Sequence, residues 1–112
     1  MHKLLEFYSD GLKDHSWIPN SEKEFLEYCN DLTINIFDSV LVLSSGSKNF
    51  RYIDTIYVLK EHRGKGFGGA ALDVMSSNSR TALICSDNML EFYLKKGYKA
   101  HLPYTVVIKD NR

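Results

Sequence analysis

The stretch Val58-Leu59-Lys60-Glu61-His62-Arg63-Gly64-Lys65-Gly66-Phe67-Gly68-Gly69-Ala70 sets glycines at 64, 66, 68 and 69 between a β-branched run and an apolar helical one. A strand that ends in glycines and then opens a helix leaves several backbone amides without partners at the positive end of the helix dipole. That geometry suits an anion, phosphate above all. Glycine helps twice: no Cβ holds the phosphate off the backbone, and loop positions can take φ above zero. A Walker A loop is excluded, because no Gly-Lys pair here precedes Ser or Thr and Gly64-Lys65 runs into Gly66. Gly64-Lys65-Gly66-Phe67-Gly68-Gly69 does match G-x-G-x-x-G as a bare string. A dinucleotide fold also needs a second βαβ unit and an acid at the end of the next strand, whereas Thr81 to Cys85 is short and meets no acid until Asp87.

Other reactive side chains are scattered. Glu61 and His62 are bases on chemistry alone, and His15 and His101 are isolated. Cys29 and Cys85 lie far apart with no CxxC, too few for a disulfide scaffold or a four-thiolate zinc site, which fits a reducing compartment. No His, Cys, Asp and Glu grouping has metal-ligand spacing, so no metal is expected.

The elements that must position the loop follow from periodicity. Leu4, Leu5, Tyr8 and Leu12 have helical spacing, predicting a helix over His2 to Lys13 that Gly11 stops. A connector holds Trp17 and Pro19. Ser21, three residues before Glu24, forms a capping box and opens a helix to Leu32 with Phe25, Leu26, Tyr28 and Cys29 as its apolar stripe. Thr33 to Ser45 is β-rich and broken at Asp38-Ser39, hence one bent strand or two short ones. The cluster Ser45 to Asn49 turns the chain into a strand over Phe50 to Leu59. That strand has Ile53, Thr55, Tyr57 and Leu59 on one face and Tyr52, Asp54, Ile56 and Val58 on the other. After the glycines come a helix over Ala70 to Ser77, a buried strand over Thr81 to Cys85 and a helix over Asn88 to Lys96 closed by Gly97. A β-rich run over Tyr98 to Lys109, broken at Pro103, ends the pattern.

Two motifs carry a family resemblance. Arg63-Gly64-Lys65-Gly66-Phe67-Gly68 resembles the Arg/Gln-x-x-Gly-x-Gly/Ala signature of the Gcn5-related N-acetyltransferase (GNAT) superfamily, approached by Val58, Glu61 and Arg63 as Val-x-x-Glu-x-Arg. Glu91-Phe92-Tyr93-Leu94-Lys95-Lys96-Gly97-Tyr98 looks like the late helix of the same family. Together they span roughly Arg51 to Tyr98. The resemblance implies an α/β (α+β) fold whose mixed, mostly antiparallel central sheet is flanked by helices and splays between its two central strands. It also implies acetyl-coenzyme A as cosubstrate. Its pyrophosphate is expected on Arg63, Gly64, Lys65, Gly66, Phe67, Gly68 and Gly69, with Arg63 and Lys65 adding charge, and its pantetheine amides along Ile56, Tyr57 and Val58. Tyr93, four residues before Gly97, is the expected acid for the departing thiolate, and Asp54 the expected base for the acceptor ammonium. Ser86 stands where the family usually has a coenzyme-contacting asparagine, with Asn88 displaced by two. The N-terminal part supplies two helices and little strand before the hairpin expected from the Thr33 to Ser45 run, the turn and the Phe50 to Leu59 strand. Cys85 ends the strand near the expected acetyl group, where direct transfer makes it a small buried residue and not an acetyl carrier.

The 112 residues fit one domain, 1–112, and 44% hydrophobic residues with two prolines suit a globular chain able to bury a core. Fourteen Lys and Arg balance fourteen Asp and Glu, which argues against general affinity for nucleic acid or an anionic membrane. No apolar run of about 18 residues exists and Met1 to Lys13 is unlike a signal peptide, so a cytoplasmic protein is expected. The expected activity is direct transfer of an acetyl group from acetyl-coenzyme A to a primary amine, on a protein or a small molecule, in a monomer or homodimer. A coenzyme A-binding module without turnover and a nucleotide-binding domain are the alternatives.

Overall fold

The computed structural model describes residues 2–14, 21–77, 79–101 and 106–110. Their elements run α1 (His2–Lys13), α2 (Glu22–Asn30), β1 (Thr33–Phe37), β2 (Val40–Gly46), β3 (Phe50–Val58), α3 (Phe67–Ser76), β4 (Arg80–Ile84), α4 (Leu90–Lys95), β5 (Lys99–His101) and β6 (Val106–Asp110). Short 3₁₀ turns at Lys60–His62 and Asp87–Met89 precede α3 and α4. The connector with Trp17 and Pro19, and the break at Pro103, lie outside the described residues.

The strands form one sheet in the order β1-β2-β3-β4-β6-β5. Neighbours joined by two or three residues, as β1 to β2 and β2 to β3 are, can pair only antiparallel. β4 with β6 and β5 with β6 are antiparallel too, and β3 with β4 is parallel. The result is the expected mixed, mostly antiparallel α+β architecture. Along its whole length β4 pairs with β6, from Arg80 opposite Asp110 to Ile84 opposite Val106. The parallel ladder is shorter, registering Phe50 with Arg80, Arg51 with Thr81 and Tyr52 with Ala82, after which β3 continues to Val58 and β4 to Ile84. No helix among the described residues is long and apolar enough to cross a membrane.

By contact the chain forms two compact units, Met1–Leu43 with Thr55–Ala71 and Ser44–Asp54 with Leu72–Arg112. The first holds a core of Leu4, Phe7 and Tyr8 from α1, Phe25 and Cys29 from α2, and Leu41, Leu43, Tyr57 and Leu59 from the β2 and β3 side. Helical spacing in α1 and α2 and period-two alternation in the strands bring these residues to common faces. Phe7 and Phe25 are fully buried, each contributing roughly 1.5–3 kcal/mol of transfer energy. Edge-on packing of Phe7 on Tyr57 (6.3 Å, 87°) and a tilted Tyr8–Phe25 contact (5.0 Å) fix their angles. The Ser21 hydroxyl caps α2 by accepting from the Glu24 amide at 3.1 Å.

In the second unit Thr81, Ala82, Leu83, Tyr98 and Val107 are buried, with the Thr81 hydroxyl 3.4 Å from the Tyr98 hydroxyl. Gly97, at φ 96, ends α4 in a left-handed cap where its amide donates to the Leu94 carbonyl and the Tyr98 amide to the Tyr93 carbonyl. The closing glycine therefore also fixes where Tyr98 leaves the helix.

Three local expectations are corrected and one alternative is decided. Gly11 lies inside α1 and is buried, so it packs the helix instead of stopping it. Of the two readings of the Thr33 to Ser45 run the structure takes the second, two short strands turned at Asp38 with φ 55. α3 begins at Phe67, three residues earlier than apolarity suggested, because the Gly66 carbonyl accepts from the Ala70 amide and carries the poor helix formers Gly68 and Gly69 into the first turn. Ile84 is 61% exposed, so the contiguous apolar run of β4 is buried only through Leu83.

Candidate functional site

β3 ends at Val58, the chain makes a 3₁₀ turn, and Arg63 to Gly66 leads into α3. Gly64 and Gly66 have φ of 78° and 83°, the left-handed region that other residues avoid. A Cβ at either would meet nothing within 4 Å, so backbone conformation and not crowding calls for glycine there. At Gly68 the reason is different: a Cβ would stand 3.1 Å from a methyl of Val58, so the missing side chain lets α3 approach β3. With Ala70 donating to Gly66, the amides of Phe67, Gly68 and Gly69 are those of the first helical turn, which have no carbonyl one turn earlier to bind. Phe67 is exposed, with its ring 6.2 Å from that of His62. Lys65 is exposed and makes no ion pair with a described residue.

Arg63 is placed otherwise. Its Nη1 binds Asp14 Oδ2 at 2.8 Å, its Nε donates to the Val58 carbonyl at 3.0 Å, and its guanidinium lies 5.1 Å from the Tyr57 ring centroid. The hydrogen bond to Asp14 raises its pKa further, so the charge is permanent and locally balanced. One helical turn before Asp14, Asp10 accepts from the Tyr57 hydroxyl and from the Lys60 amide, both at 2.9 Å. Asp10 and Asp14 had no role in the sequence reading. Their partners lie 47 to 50 residues away, and the only local signal was two carboxylates spaced i, i+4 toward the end of α1. A cavity of about 390 Å³ opens beside this corner, with Glu6, Asp10, Lys13, Glu61 and His62 among its lining residues.

Of the expected pantetheine positions, Tyr57 is buried and its hydroxyl is committed to Asp10, while Ile56 and Val58 are half-buried. Asp54 is exposed, on the face of β3 that alternation gives it.

In the second unit Tyr93 is half-buried on α4, edge-on to Phe92 (5.1 Å, 86°) and to Tyr98 (5.5 Å, 75°). Burial first, then the nearby Cys85 and Tyr98, raise its pKa above the ordinary tyrosine value, which keeps the phenol protonated. Tyr98 is raised too, chiefly by burial, and is a core residue held at Thr81. The Cys85 thiol is also pushed up, by burial and then by Asp87, the opposite of what an activated nucleophile requires. Ser86 and Asn88 meet directly, the serine hydroxyl donating to the asparagine side-chain carbonyl. The displaced asparagine and the residue in its expected place thus share one turn.

Among the described residues no three of His, Cys, Asp and Glu are grouped to hold a metal ion. No family model and no curated protein matches this chain. Among solved structures the chain is similar to the crystal structure of the anti-CRISPR protein AcrVA5, at a TM-score of 0.55 and 12% identity over 68% of this chain and 95% of that one, a likeness of fold.

Proposed function

We propose that the protein is an N-acetyltransferase that takes acetyl-coenzyme A on the Arg63 to Gly69 loop and passes the acetyl group to a primary amine. The observation that carries the reading is the loop itself: Gly64 and Gly66 in left-handed conformations lead into the free amides that open α3, in a stretch that resembles the GNAT signature. Phosphate oxygens would accept from those amides, with Lys65 adding charge. The β3 backbone beyond Tyr52, where the parallel ladder ends, is offered to the pantetheine amides as an added strand.

In this mechanism an exposed Asp54 takes the proton of the acceptor ammonium, directly or through water. The neutral amine attacks the thioester carbonyl, a C–N bond forms and the C–S bond breaks. Tyr93 gives its proton to the leaving thiolate, a role for which a phenol with a raised pKa remains loaded at neutral pH. The nitrogen releases its second proton to water as the amide forms, and water returns a proton to the phenolate, so the net release is the proton taken up by Asp54.

A second reading, a coenzyme A-binding module without turnover, is favoured by Ser86 at the position where the resemblance calls for asparagine. Release of free thiol from acetyl-coenzyme A across a panel of amines separates the two. The fold neighbour's name makes protein components of CRISPR systems one acceptor set for that panel. Binding with no thiol release from any acceptor selects the module. Gly66→Glu places bulk and negative charge against the pyrophosphate, and unchanged affinity for coenzyme A in that variant rejects the loop as its site.

A further inference from the structure

We propose that Asp10 and Asp14 are positioning residues for the glycine loop, and that Arg63 serves as their strut on β3 and not as a phosphate ligand. The inference rests on the coenzyme reading of that loop and assigns three residues that the loop motif alone leaves without this role.

The four contacts fall on consecutive features of one corner. Asp10 holds the Tyr57 side chain and the Lys60 amide, Asp14 holds the Arg63 guanidinium, and Arg63 returns to the Val58 carbonyl. The last residue of β3, the first of the 3₁₀ turn and the residue before Gly64 are thereby all referred to α1. Gly64 and Gly66 have no neighbour within 4 Å at the Cβ position, so packing at these two positions does not hold the loop. Its direction is set at its two ends: the α3 turn at one, this latch at the other.

Charge argues the same way. A carboxylate in the last turn of a helix opposes the helix dipole, and Asp14 sits there, its amide still donating to the Asp10 carbonyl. Two carboxylates beside an anion-binding loop also carry the wrong sign for the ligand. Their cost is met by three charge-assisted hydrogen bonds of 2.8–2.9 Å, which is what a structural latch requires. Arg63, with Nε and Nη1 both engaged and its face over Tyr57, has its fork turned toward the protein.

The two roles of Arg63 predict opposite signs. If Arg63 were a phosphate ligand restrained by Asp14, Asp14→Ala would free a cation, remove an anion and tighten coenzyme A. As a strut it loses its anchor, and affinity falls about tenfold, with Arg63→Ala adding little in the double variant. Asp14→Asn, which keeps an acceptor oxygen, recovers most of the affinity. Titration calorimetry with coenzyme A reads these outcomes, and tighter binding by Asp14→Ala overturns the strut. Hydrogen exchange without ligand supplies the independent arm: amides 64–69 exchange at least about tenfold faster in Asp10→Ala or Asp14→Ala, while the β4 and β6 amides keep their protection. Unchanged exchange at 64–69 overturns the positioning role. Should the wild-type protein fail to bind coenzyme A, the coenzyme reading and the ligand part fall together, and exchange still decides whether the latch orders the loop.

Discussion

Tyr93 and Cys29 are two side chains whose burial changes their acid–base chemistry, with different consequences. The raised phenol of Tyr93 stays protonated to higher pH than a free tyrosine, so a donor role predicts turnover that holds through neutral pH and falls as pH climbs through the raised value. Tyr93→Phe should slow turnover by 10²- to 10⁴-fold, the usual range for a lost general acid, remove that alkaline fall, and leave coenzyme affinity unchanged. A full pH–rate profile of both proteins checks this. Cys29 is fully buried in the α1/α2 core and its thiol is pushed up to about 11. Folding therefore favours the protonated thiol, and the unfolded chain ionises first. The resulting contribution is fully present below about pH 9 and is lost progressively between there and about 11, an effect on the order of 2–3 kcal/mol. Urea unfolding of the wild type and Cys29→Ala should give curves of stability against pH that converge across that window.

At the level of elements, the caps and turns offer sharper tests than the helices. Ser21→Ala removes the hydroxyl that accepts from Glu24 and should cost about 1 kcal/mol in denaturant unfolding. Gly64→Ala should cost about 1–2 kcal/mol through its left-handed backbone although space is open around it, and Gly64→Asn distinctly less, because asparagine tolerates that region. These features were readable because they are local: Ser21 with Glu24, Gly97 at the end of α4, and Leu4 with Tyr8 on α1 each lie within a few residues, whereas Leu12 of the expected α1 spacing is exposed and the buried Phe7 lay outside it. The latch was not, since Asp10 and Asp14 find Tyr57, Lys60 and Arg63 only after the chain has folded back. Gly11 failed as a stop signal for a related reason. The same glycine that ends an exposed helix also lets a buried one pack closely, and only burial distinguishes the two. The glycine turn between β3 and α3 was legible; the commitment of Arg63 to the protein was not, because motif spacing places a side chain without saying where it points.

Across the whole molecule, fourteen positive and fourteen negative side chains leave no general field to gather an anionic ligand. On the proposed reading, coenzyme recognition rests on amides, which salt screens little, and on few cations. The affinity should therefore depend weakly on ionic strength between about 50 and 200 mM, and Lys65→Ala should flatten what slope there is. Calorimetric titrations at several salt concentrations measure both. A steep slope that persists in Lys65→Ala would place the charge elsewhere.

The short parallel ladder also sets an order of events in time. The β2–β3 hairpin closes over three residues and can form within microseconds, whereas Phe50 reaches Arg80 only after about thirty residues of intervening chain have been gathered. That intervening chain is the glycine loop and α3. On the coenzyme reading, the ligand cradle is therefore the crossover that must close before β3 and β4 can pair, and during refolding the capacity to bind coenzyme should return only after the β2–β3 hairpin has formed.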